Sequence, residues 1–94
     1  MATNARLSKE RANLLARAAH EGLSRAIRPA HTMWDGDTAF ALATWAVEAD
    51  QRAVEALAEA VVADAVRRAV LAATGVEGFP AVRDRPDRTG GERP

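Results

Sequence analysis

Two aspartates flank a single glycine in Asp35-Gly36-Asp37, and His31 precedes them in the run HTMWDGDT (His31–Thr38). Carboxylates clustered on a turn beside an imidazole can bind a divalent cation, orient a nucleophile or hold an ammonium group. The same residues also suit an Asx-type turn leading into a strand, with His31 capping the helix before it; paired turn aspartates are common. Spacing alone leaves these readings open and favours the turn. A metal site needs more ligands than this loop offers, and His20 lies a helix away, so neither a metal nor another cofactor is expected. The chain has no cysteine, which excludes disulfides and thiolate ligands.

Two helical stretches flank the loop. Ser8 is a candidate N-cap with Glu10 in the first turn, where the helix dipole favours an acid. Ala12, Leu15, Ala16, Ala19, Leu23, Ala26 and Ile27 then recur at three- and four-residue steps, and Pro29 closes the helix. His20 falls at the edge of this stripe, where packing or solvent is its expected surrounding. Gly22 inside the helix costs roughly 1 kcal/mol against alanine, which points to a close packing contact there. After the loop, Phe40, Leu42 and Thr44 alternate with Ala39, Ala41 and Ala43, a period of two that predicts a strand with its alanine face close under a helix.

Asp50 can cap a second helix whose main stripe is Val54, Leu57, Ala58, Val61, Ala65, Ala69 and Ala72, ended by Thr74-Gly75. Its broad Ala/Val surface implies burial on more than one side. Met1–Leu7 suits the tail of a strand. Trp34 and Trp45, which flank the predicted strand, are expected to pack in a core or interface. Arg83–Arg88 mixes bases with Asp84 and Asp87 and reads as a solvated stretch, with residues 87–94 a disordered tail. Thr3 is not a first residue, so it is a poor candidate for a nucleophile that uses its own amine.

Alanine supplies 23 of the 94 residues. It favours helix but buries little area, so these helices need close neighbours. Thirteen basic and thirteen acidic residues cancel, which argues against an electrostatic role on nucleic acid or anionic membrane. No apolar run approaches the roughly 20 residues of a bilayer span. Met1–Arg6 lacks the apolar core of a signal peptide, and the expected setting is the cytoplasm.

Four segments together resemble the self-processing DmpA-like aminopeptidases, the L-aminopeptidase/D-esterase or β-peptidyl aminopeptidase family. They are ATNARL (Ala2–Leu7), GLSRAIRPAHT (Gly22–Thr32), DGDTAFALAT (Asp35–Thr44) and VVADAVRRAVLAATG (Val61–Gly75). Their order and spacing are similar to the C-terminal part of those enzymes. The resemblance implies an α+β fold, the C-terminal portion of an αββα sandwich over residues 1–86, with two long helices around one or two strands and incomplete by itself. It also implies a precursor that cuts itself to expose a new N-terminal Ser or Thr. That residue, with its own α-amine as base, hydrolyses N-terminal amides or esters. Asp37 matches the family's acidic position beside the nucleophile; Asp35 stands where some members have serine. Trp45 stands where a glycine is usual. By analogy the nucleophile lies a few residues before Met1, so the expectation is a truncated small subunit, inactive alone, whose partner is an upstream peptidase subunit. The alternative is a small helical protein that buries its alanine faces against itself or another chain, without catalysis.

Overall fold

Small side chains decide how this chain packs. The computed structural model describes residues 1–34 and 36–85, so Asp35 and the expected tail at 87–94 lie outside the described residues. The order is β1 (Ala2–Ala5), α1 (Lys9–Ala26), β2 (Leu42–Val47), α2 (Gln51–Ala72) and a short 3-10 turn, Val82–Asp84. The fold is therefore α+β, with two long helices and a two-stranded parallel sheet. Parallel strands need a long crossover, and α1 with the following loop supplies it. Two compact units result, the first Met1–Asp64 and the second beginning at Ala65.

Helix boundaries follow their caps. Ser8 Oγ accepts from the Arg11 backbone N–H at 3.2 Å, and Asp50 Oδ2 accepts from the Ala53 N–H at 3.2 Å. Each satisfies a donor that the first helical turn leaves without a partner. At the other end of α1, the Ile27 N–H reaches Leu23 O at 2.8 Å. In the second unit, Arg83 Nη2 donates to Ala72 O at 2.8 Å, so a cation meets the negative end of α2. No helix among the described residues is long and apolar enough to cross a membrane.

The first unit's core is thin. Ala5, Leu7, Leu15 and Ala58 form it, with Ala18, Ala41, Ala43 and Val54 packed around them. The alanine face expected beneath a helix is thus present, although the strand starts at Leu42 and runs on to Val47 rather than occupying 39–44. The α2 stripe behaves differently from its expectation. Ala58 is buried, whereas Leu57 is 64% and Val61 59% exposed. One neighbouring layer covers only one side of a helix this broadly apolar.

Gly22 has the close contact that its place in the helix implied. A Cβ there would lie 2.6 Å from Glu59 O and 2.7 Å from Val62 Cβ, so α1 and α2 cross almost backbone to backbone. Trp45 is the other unusual backbone position. The pairs Ala2↔Leu42 and Thr3↔Ala43 are followed by Ala5↔Val47, so β2 bulges between Ala43 and Val47. Trp45 sits inside that bulge at φ +68°, the left-handed region that favours glycine. Its indole Nε1 donates to Leu7 O at 2.7 Å and tethers the bulge to the end of β1. The indole is otherwise 59% exposed, and Trp34 is 75% exposed, so neither tryptophan is a core residue of this chain.

Two substitutions check this packing. Gly22→Ala should lower stability by about 1–2 kcal/mol in urea titration, because the clash with a backbone carbonyl outweighs the gain in helix propensity. A raised midpoint would contradict the close crossing. At the bulge, Trp45→Gly should be about 1–2 kcal/mol more stable than Trp45→Ala, since only glycine takes a positive φ freely. Equal stabilities would mean that the bulge relaxes to an ordinary conformation.

Candidate active-site loop

The loop after α1 brings His20, His31 and Asp37 together. His31 Nδ1 lies 3.2 Å from Asp37 Oδ2, with both side chains about one-third exposed (37% and 31%). On its other side the His31 ring stands over His20, centroids 4.8 Å apart and tilted by 58°. His31 Nε2 is 3.5 Å from the His20 carbonyl oxygen, at the outer limit of a hydrogen bond. His31 therefore does not cap the last turn of α1. It reaches back to the middle of the helix.

Local chemistry shapes this loop. His31 has φ +59°, a left-handed conformation in which histidine is more common than most side chains. Thr32 Oγ1 accepts from the Trp34 N–H at 3.3 Å, a local side-chain turn within the loop. Beyond Asp37 the chain runs to Phe40, whose carbonyl accepts from the Met1 ammonium group at 2.7 Å. Leu42 N then donates to Met1 O at 3.0 Å. The end of the loop is in this way fastened to the start of β1.

Of the residues singled out from sequence, Asp37 and His31 meet directly, while Asp35 lies outside the described residues. Thr3 is a structural residue of β1: its Oγ1 accepts from the Ala5 N–H at 3.2 Å, and it pairs with Ala43. His20 is the member that sequence reasoning underrated. It lies on α1, eleven residues from His31, and no local spacing rule joins them. Its Nδ1 is buried without a hydrogen-bond partner. Among the described residues there is no group of three or more His, Cys, Asp or Glu able to hold a metal ion. What the arrangement offers chemically is a carboxylate whose one oxygen is held by an imidazole.

An uncharacterized aminopeptidase of Mycobacterium leprae is 47% identical over 95 residues, which cover 85% of this chain and 26% of that protein. Uncharacterized aminopeptidases of Mycobacterium bovis and Mycobacterium tuberculosis are each 43% identical over 99 residues, covering 89% of this chain and 29% of theirs. The chain thus spans between 26% and 29% of the length of these relatives. No solved structure matches it significantly. The family model described as Peptidase family S58 matches residues 1–83. With that match extending from β1 through both helices, the chain belongs to peptidase family S58.

Proposed function

We propose that this chain is the C-terminal, small-subunit-like part of an aminopeptidase or amidohydrolase that cleaves N-terminal amides or esters. In this reading residues 1–86 form part of the catalytic domain, an αββα sandwich completed by polypeptide outside this sequence. That polypeptide supplies the Ser or Thr nucleophile, which acts with its own α-amine as base. Asp37 forms part of the wall of the catalytic pocket and orients polar groups around the nucleophile. Asp35, two positions earlier in the sequence, has a supporting role in this reading. The observation that carries the reading is the combination of family membership with the His31-held carboxylate of Asp37.

Exposed apolar residues support a partner for the chain. Leu42, Leu57 and Val61 of the first unit are each more than half exposed, although all lie on regular elements. Monomeric surfaces seldom carry large contiguous apolar patches. Among the described residues the sheet also has only two strands, fewer than a parallel sheet normally needs for independent stability. In the proposed assembly these groups meet the upstream peptidase part. Peptides or amino-acid amides are the substrates of that assembly, and no nucleic acid or membrane takes part.

The purified chain should not turn over aminoacyl p-nitroanilides or amides. Co-expression with the upstream part of a family member should give hydrolysis, and Asp37→Ala in that assembly should lower kcat roughly 100-fold or more. The same substitution should change thermal stability little, because a single partly exposed hydrogen bond contributes only about 1 kcal/mol. Hydrolysis by the chain alone would sink the proposed division of labour, and full activity of the Asp37→Ala assembly would sink the role of Asp37.

Self-association is the second reading, favoured by the same exposed face of α2. Light scattering after size-exclusion chromatography separates the two. A monomer that becomes a stoichiometric complex with the upstream part fits the first, whereas a stable homo-oligomer indifferent to that part fits the second.

A further inference from the structure

The aspartate in the loop has a single described partner, and that partner is anchored independently of the loop. Among the described residues the Asp37 carboxylate meets His31, through Oδ2 and Nδ1 at 3.2 Å. The opposite side of the same imidazole rests on α1, against the His20 ring at 4.8 Å and the His20 carbonyl at 3.5 Å. His20 belongs to the same helix as Gly22, where α1 is pressed against α2, so the imidazole rests on a helix held within this unit's packing.

We infer that His31 is the positioning residue of Asp37, a strut that donates from Nδ1 to one carboxylate oxygen and braces the loop against His20 on α1. The inference rests on the reading of Asp37 as a wall of the catalytic pocket and adds the group that aims it. Holding Oδ2 leaves Oδ1, which meets no partner among the described residues, as the oxygen to face the reacting groups. It also fixes the rotation of the carboxylate, which a glycine-containing turn does not do alone. The donor assignment follows from the acceptors. Both ring nitrogens face oxygens, and a neutral imidazole can donate to only one of them. The carboxylate, nearer and charged, is the better acceptor. The left-handed backbone of His31 fits the same role, since conformations of this kind persist where the surroundings hold a residue in place for use.

Three substitutions at one position test the strut. Asparagine places its amide nitrogen close to where Nδ1 sits, whereas alanine removes the donor and glutamine moves it farther out. In the active assembly with the upstream part, His31→Ala should lower kcat about 10- to 100-fold with KM nearly unchanged, the effect of a catalytic group held but no longer aimed. His31→Asn should recover most of that loss and His31→Gln little of it, and because alanine and glutamine share the same cost at the left-handed position 31, their equal melting temperatures separate aiming from folding. In the full chain alone, long-range proton–nitrogen NMR should find the His31 proton on Nδ1, and Asp37→Ala should move it to Nε2. Undiminished kcat in His31→Ala alongside an inactive Asp37→Ala overturns the strut and leaves the role of Asp37 standing. An active Asp37→Ala overturns the reading beneath it. A bare Nδ1 in the unmodified chain refutes the strut without any activity measurement.

Discussion

The near-contact of two helix backbones at Gly22 governs the first unit. Alanine-rich helices bury too little area per residue to hold together at ordinary separations. They cohere only where the backbones approach closely enough for many weak dispersion contacts to form at once. Glu59 O and Val62 occupy the space that any larger residue at position 22 would need. From that crossing outward the small residues continue, through Ala18 and Ala58 to Ala41 and Ala43 beneath the helices. Leu15, at 1% exposure, is the largest side chain fully enclosed.

The same crossing sets the stage for the loop. His20 is carried on the stiff middle of α1, and His31 comes back to it across the turn that follows Pro29. Asp37 is then held by an imidazole that is itself seated on α1. At its far end the loop is fastened by the Met1–Phe40 and Met1–Leu42 hydrogen bonds, which tie it to β1. Loops that carry function are commonly built in this way, as mobile sequence on a fixed frame. The bulge at Trp45 belongs to the same frame, because it lets β2 regain its pairing with Ala5 after the extra residues.

Family membership gives the exposed face of α2 a different meaning. In a monomer Leu57 and Val61 would be a liability, and a two-stranded parallel sheet would be too small to stand by itself. In the assembly proposed above, the same features suit a surface that the upstream part covers. Area is scarce in the core for the same reason. The chain distributes its apolar residues over more faces than its own elements can cover.

Much of this was legible in the amino-acid order. Ser8 and Asp50 mark their helix starts because an N-cap is a local bond between a side chain and the backbone three residues on. The alanine alternation before Trp45 marks a strand packed closely against a helix, and Gly22 announces a crossing because a mid-helix glycine needs a reason. The four family segments, being a matter of residue identity alone, were legible as well. The strand's true start at Leu42 was not, since Ala39–Ala41 alternate in the same way and only hydrogen bonding to Met1 decides where pairing begins. Nor was the exposure of α2, because periodicity states which face is apolar and not whether anything covers it. The pairing of His31 with Asp37 and its support on His20 belong to the tertiary structure alone. They join a helix interior to a distant loop through a left-handed residue, and no local spacing encodes that geometry.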